Sequence, residues 1–569
     1  MKTRTSLMTM REKQKKRSTL SLCMIVKNEE QYLSDCLASA TPFVDEIIVI
    51  DTGSTDRTVD IAKAAGARLF HEEWRDDFAA ARNRSLCHAT GDWILVLDAD
   101  ERLSGDGGRI MRDRIEVPGV AAYLVRLQCP THGGSALGTM SLKWLPRLFR
   151  NGVGARYEGI VHECLLPSLR GKGKIVHSEI TLEHLGYLQS DEVMRVKAMR
   201  NLHLLEGQAA RTPDDSLTWI QLAETYLTLS RHDQAIASYQ KALTLLTHER
   251  DHGQRTISNA TAAVAYQQLG ALHLLRGGCD EAIVVLRQAI DLWPALASAY
   301  LYLGQAHENK GELENARESY GMAIEWAQRP EPPGHPVRLV PWLPWLLKGT
   351  VECKLQRYDA ARDALDQAIC LNPDFPGAHT MLGVIDRVLG RPHAALEAFE
   401  TARRLGDATA SLLINIGTTH HHLGNFDKAV QAFQEALVRE SESRDARLGL
   451  CRAYVQLGQW SDVADEGYAL LERGVVDPDL YRLVGQALRS LGMWTAAVSV
   501  YEALCAMTNP IPADWSGLAI VALGAGQPIK ALQAAEYALS VNPPEDLRSI
   551  LQAVTEQAQE ALPLESALL

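Results

Sequence analysis

Small residues return every 34 positions through the second half of this chain, at Gly349, Gly383, Gly417, Cys451, Gly485 and Ala519. A second series follows seven residues behind, at Gly390, Gly424, Gly458, Gly492 and Gly526. Upstream, Gly270 and Gly304 are again 34 apart, and Ala223 marks a first unit. Between the anchors, alanines and aromatics keep helical spacing, as in Asn425-Phe426-Asp427-Lys428-Ala429-Val430-Gln431-Ala432-Phe433. A unit this short cannot bury its own apolar face, so the units must stack, each covering its neighbour. The period predicts about nine helix–turn–helix units over 211–569, with small residues at close helix crossings. The register breaks near Thr247–Thr261 and in Pro-rich Gln328–Pro344, where loops or a changed superhelix are expected.

Up to about residue 190 the rhythm is different. Leu20–Val26, Glu46–Ile50, Ala67–His71, Trp93–Leu97 and Ala121–Leu127 are short Val-, Ile- and Leu-rich runs that predict strands. The segment from Thr55 to Gly66 opens on capping residues and stops at glycine, which predicts a helix. Strand, helix, strand in this order argues a mostly parallel sheet covered by helices. Two acidic stretches, Asp51-Thr52-Gly53-Ser54 and Asp98-Ala99-Asp100-Glu101, directly follow apolar runs. They should sit at the carboxyl ends of buried strands, where open α/β sheets bind ligands. Asp98 and Asp100, one residue apart, offer hard oxygen ligands suited to Mg²⁺ or Mn²⁺ bridging a diphosphate.

A chain of 569 residues is too long for one core, so at least two domains are expected. A net charge of −12 argues against a general nucleic-acid binder. The basic cluster Lys2, Arg4, Arg11, Lys13, Lys15, Lys16 and Arg17 has no apolar stretch of signal-peptide length behind it, so 1–17 is expected to be a solvated, disordered tail. No run approaches the roughly 18 apolar residues of a membrane span. The ten cysteines are scattered without a Cys-x-x-Cys pair, which suits a reduced cytoplasm.

Four segments in order carry a resemblance: Cys23-Met24-Ile25-Val26-Lys27-Asn28-Glu29-Glu30, Asp51-Thr52-Gly53-Ser54-Thr55-Asp56, Asp77-Phe78-Ala79-Ala80-Ala81-Arg82-Asn83 and Gly91 to Glu101. Over 18–190 the chain resembles the family 2 glycosyltransferases of GT-A fold, and is closest to the branch with tetratricopeptide repeats that includes bacteriocin S-glycosyltransferases. The resemblance implies an α/β, Rossmann-like GT-A domain, a connecting helix at 191–210 and an all-α tetratricopeptide-repeat superhelix over 211–569. It implies a UDP-sugar donor, with Asn28, Glu29, Asp51 and Gly53 lining the nucleotide pocket. Thr52 stands where many members have a second aspartate. Asp51 could equally cap its turn, and Arg82 could meet phosphate or make a surface ion pair. Asp98 and Asp100 correspond to the family's Asp-x-Asp motif: Asp100 would bind the metal, and Asp98 the ribose or the metal's water shell. His184, after a strand-like Glu179–Leu182, could add a third metal ligand or be structural.

A third constellation runs through Arg147–Asn151, Arg156–Glu163 and His184–Tyr187. An inverting transfer needs a base opposite the nucleotide, and Glu163, Glu158 and His162 are its candidates, in favour of Glu163. Stacked repeats form a surface for peptides, so a protein or peptide acceptor is expected, with dimerisation through the repeats an equally physical use. Transfer to a lipopolysaccharide core or surface polysaccharide is one alternative, and a non-catalytic scaffold another. Glucose, N-acetylglucosamine and galactose donors stay open.

Overall fold

The computed structural model describes residues 17–128, 139–141, 143–161, 163–188, 191–251, 257–330, 337–507 and 509–562. All but Arg17 of the expected basic tail lies outside them. By its internal packing the chain divides into compact units meeting at Val351 and Glu352. No helix of the described residues is long and apolar enough to cross a membrane.

The first unit opens with four strands: β1 (Leu20–Val26), β2 (Glu46–Asp51), β3 (Arg68–His71) and β4 (Trp93–Val96). They lie in the order β3-β2-β1-β4 and all pair in parallel. Alternate side chains feed two cores, with Leu22, Met24, Val49 and Leu95 on one face and Cys23, Ile48, Ile94 and Val96 on the other. A strand buried on both faces needs apolar residues at every position, which is why these strands read as continuous runs. Helices α1 (Leu33–Ala40) and α2 (Thr58–Ala64) cover the first face and α3 (Phe78–Cys87) the second.

The sheet continues as β8-β6-β9-β5, built from β5 (Glu101–Leu103), β6 (Val120–Gln128), β8 (Lys143–Arg150) and β9 (Lys174–His184), with β7 (Thr139–Ser141) outside it. Helices α4 (Gly107–Arg114) and α5 (Leu166–Leu169) fill the connections. β8 runs antiparallel to both β4 and β6, and the strand pattern missed it because it holds Pro146 and three basic residues. Proline cannot donate to a ladder. The β6 register shifts between Tyr123 and Leu124, where Leu124 faces Pro146, so a bulge absorbs the missing donor. The three-residue β5 pairs with the end of β9, setting Glu101 opposite His184.

Helix α6 (Asp191–Arg211) follows, and then helix pairs 216–228 with 232–251, 259–275 with 279–292, and 297–309 with 313–328. The second break in the repeat register, expected as loop or changed superhelix, holds a strand, β10 (Val337–Leu339), paired antiparallel with β7. The second unit contains helix Tyr358–Leu371, five further helix pairs and a closing helix, Glu545–Glu560.

Gly304, Gly383, Gly417 and Gly485 are each a socket for a ring sixteen residues later, while Gly270 receives Leu286 in the same way. A Cβ on Gly383 would stand 2.5 Å from the Phe399 ring, one on Gly417 2.8 Å from Phe433, and one on Gly485 2.7 Å from Tyr501. In the Cys451 repeat the sizes are exchanged: the residue sixteen on is Gly467, and Val484 packs where its side chain would be. Gly383→Val is therefore expected to cost about 2 kcal/mol, since overpacking costs about 1–3 kcal/mol and removing a helix glycine returns less than about 1. Guanidinium unfolding would read this as a lower midpoint, and an unchanged midpoint would remove the socket from the account.

Candidate functional site

From β1 the chain travels to β2 and β3 on one side, then crosses back to lay β4 on the other. Loops diverge at such a switch and leave a crevice beyond the carboxyl ends of the strands. Three groups of the expected residues gather there.

The first ties the loop after β1 to the loop after β2. Asn28 adopts a positive φ of 56°, which asparagine tolerates better than most residues. Its Oδ1 accepts from the Thr55 amide at 2.8 Å, its own amide donates to Ser54 Oγ at 3.0 Å, and the Glu29 amide donates to Thr58 Oγ1 at 2.7 Å. Asp51, 3% exposed, accepts from the amides of Gly53 at 3.3 Å and Ser54 at 3.1 Å, and its Oδ2 lies 3.1 Å from His71 Nδ1. Asp51 thus caps its turn, and the same bonds hold its carboxylate at the crevice. Burial pushes that carboxyl up, but hydrogen bonds from Ser54, His71 and Gly53 outweigh it and leave the group below its ordinary value.

The second group is an ion network under the crevice floor. Asp98 Oδ1 accepts from Arg82 Nη2 and Oδ2 from Arg147 Nη2 at 2.7 Å, so both its oxygens are engaged. Arg82 also donates through Nε to Glu163 Oε1, and Arg147 donates to Glu101 Oε1. Glu101, fully buried, accepts from the Asp98 amide at 3.0 Å through Oε2. Burial would raise the Asp98 carboxyl, yet the Arg147 and Arg82 guanidiniums hold it far below the carboxylate range. Glu101 moves the other way, raised by burial against the opposing pull of Arg147. Arg82 is a buried bridge rather than a surface residue, and its Nη1, with Arg147 Nε and Tyr157 Oη, is buried without a hydrogen-bond partner among the described residues.

The third group is Asp100 with His184. The β5–β9 pairing and the Leu185 amide, which donates to the Asp100 carbonyl at 2.8 Å, bring His184 Nε2 to 3.5 Å from Asp100 Oδ1. Two donors each about 2.1 Å from one ion at a right angle stand about 3 Å apart, so this pair fits a divalent cation. No group of three His, Cys, Asp or Glu suited to a metal occurs among the described residues. A two-residue site suits Mg²⁺ or Mn²⁺, which take further ligands from water and substrate phosphates. The crevice is also rich in negative charge: Glu29 is pushed up to about 7 by burial and by the charges of Asp100 and Asp98, with Lys197 opposing.

Glu158 is not part of this assembly. It pairs with Arg156 at 2.9 Å, both well exposed, while its backbone bridges to Cys164. His162 lies outside the described residues. Sequence reasoning missed His71 as a site residue, placed Arg147 in the downstream constellation without a role and left Glu101 open. A lone arginine inside the apolar Trp144–Phe149 stretch was the one signal for Arg147.

Comparison with known proteins adds the family dimension. Residues 21–164 match the model of Glycosyl transferase family 2, residues 217–245 a tetratricopeptide repeat, and residues 244–470 the C-terminal domain of cilia and flagella-associated protein 70. The chain is similar to the TPR repeat-containing protein Synpcc7942_0270 of Synechococcus elongatus, 34% identical over 327 residues that span 54% of this chain and 75% of that one. It is similar also to the SPbeta prophage-derived glycosyltransferase SunS of Bacillus subtilis, 28% identical over 236 residues, 39% of this chain and 52% of the relative. An uncharacterized glycosyltransferase of Rickettsia typhi, RT0209, is 36% identical over 97 residues, 17% of this chain and 32% of that one.

Proposed function

Because the chain belongs to the family 2 glycosyltransferases that carry tetratricopeptide repeats, we propose that it moves a sugar from a UDP-sugar, with inversion and with Mg²⁺ or Mn²⁺, to a protein or peptide held by the repeats. The observation that carries this reading is the approach of His184 to Asp100 beside the interlocked Asn28 and Asp51 loops. Asn28, Asp51 and Gly53 hold the nucleotide in loops fixed by their own hydrogen bonds. Asp100 and His184 would hold the cation, which when bound neutralises charge on the leaving diphosphate.

Asp98 is the hinge of the network: ionised by two arginines, it sets Arg82, and Arg82 aims Glu163. Glu163 binds Arg82 through Oε1, leaving Oε2 to take the proton of the acceptor atom as that acceptor atom attacks the anomeric carbon and the bond from this carbon to the UDP diphosphate breaks. Glu158, held by exposed Arg156, is the weaker base candidate.

The test is a panel of UDP- and other nucleotide-sugars with and without Mn²⁺ or Mg²⁺. One UDP-sugar hydrolysed only with metal is expected. Metal-independent turnover, or use of another nucleotide alone, would overturn the donor and metal assignment. A chain ending at Val351 keeps the compact unit that holds the site. It should still hydrolyse donor but lose at least tenfold in transfer to the native acceptor, a factor of about 1.4 kcal/mol. Unchanged transfer would remove the second unit from acceptor binding.

A further inference from the structure

Helix α6 is packed as part of the catalytic unit. Its Leu202, Leu205 and Ala209 form a cluster with Val161 and Leu222, and Phe78 and Ile160 pack against it. The Phe78 amide donates to the Ile160 carbonyl at 3.0 Å. Phe78 opens α3, the helix that carries Arg82, and Ile160 and Val161 lie just before Glu163. The helix is therefore fixed to both segments that supply the ion network.

Toward its amino end α6 carries Lys197 and Arg200, three residues apart and so on one face. The Arg200 guanidinium carbon stands 5.0 Å from the centroid of the Phe78 ring. The acids acting on Arg200 are Asp76 and Glu29, and Lys197 acts on Glu29 as well. Neither cation forms an ion pair within 4.0 Å among the described residues: Arg200 hydrogen-bonds only to Asn201 Oδ1, at 3.3 and 3.1 Å, and Lys197 to nothing. Arg200 is exposed and Lys197 half-buried, so both are open to an incoming anion.

An acid-lined crevice that receives a doubly charged diphosphate needs more positive charge than one divalent ion supplies. We propose that Lys197 and Arg200 bind the diphosphate of the donor, so that the first helix after the sheet forms a wall of the nucleotide-sugar pocket. This rests on the UDP-sugar reading above. Two cations contacting phosphate add affinity for the charged part of the ligand and none for the nucleoside.

Titration of the full chain with uridine, UMP and UDP in Mn²⁺, followed by ligand-observed NMR and calorimetry, tests the proposal. Lys197→Met and Arg200→Met are each expected to weaken UDP about tenfold and together about a hundredfold. Uridine affinity and the melting temperature should stay as in the wild type, and Arg200→Lys should recover most of the UDP affinity. UDP binding unchanged in the double variant overturns the proposal and leaves the nucleotide-sugar reading standing. An equal loss for uridine and UDP also overturns it, because it reports a distorted pocket. A wild-type chain that binds no UDP brings down the reading beneath it as well.

Discussion

Replacing Asp100 by alanine is expected to lower sugar transfer by roughly a thousandfold while leaving the fold intact, a loss of about 4 kcal/mol of transition-state stabilisation. The size follows from what the side chain would hold. Asp100 and His184 are the donors fit for a cation, and a single residue cannot keep a divalent ion at the leaving diphosphate. The fold is spared because the structural bond at this position is made by the Asp100 carbonyl with the Leu185 amide, which alanine keeps. Removing one carboxylate from a crevice that already holds Glu29 and Asp98 relieves repulsion, so stability should be equal or slightly higher. The measurement is transfer and UDP binding against Mn²⁺ concentration, beside a thermal melt. Full activity in Asp100→Ala would remove the metal from this position. Loss of activity together with a collapsed melt would make Asp100 a structural residue.

The second large effect is on stability. Arg147→Met keeps the aliphatic stem and removes the charge that Glu101 and Asp98 share. Glu101 is fully buried, so above its folded value an uncompensated carboxylate is left inside, at a cost of about 3–5 kcal/mol. The pH dependence has a definite sign. Burial already raises the folded-state Glu101 carboxyl, and losing Arg147 raises it further. A raised acid favours the protonated form in the fold, so the extra cost over the wild type should be full above the variant's folded value and shrink as pH falls towards the wild-type folded value of about 7. Urea unfolding of Arg147→Met and the wild type between neutral and alkaline pH should show this, and adding Glu101→Gln should recover much of the loss. A cost that is flat with pH, or no recovery in the double variant, would mean that Arg147 acts through packing alone.

The elements most legible in the sequence are those whose signal lies within one strand or one period. β1 spans Leu20–Val26, as its apolar run predicts, because a strand buried on both faces is apolar throughout. The 34-residue spacing is equally readable, because a glycine such as Gly304, Gly383, Gly417 or Gly485 answers a ring sixteen residues on in its own helix pair. β8 was illegible for the opposite reason: Pro146 and its basic residues look wrong for an inner strand until a bulge at Arg147 in β8 and an acidic partner below β4 make room for them.

By itself the sequence determined an α/β sheet with carboxylates at its strand ends and a helical repeat behind it, since hydrophobic periodicity and strand-end chemistry are local properties. Only the tertiary structure decided what those carboxylates face. Arg147 reaches Asp98 from 49 residues away, Glu163 is tied to Arg82 from 81 away, and His184 meets Asp100 because β5 pairs with the end of β9. Such partners are chosen by strand order and register across the sheet, and in a buried site the partner decides whether a carboxylate is ionised, neutral or open to a metal.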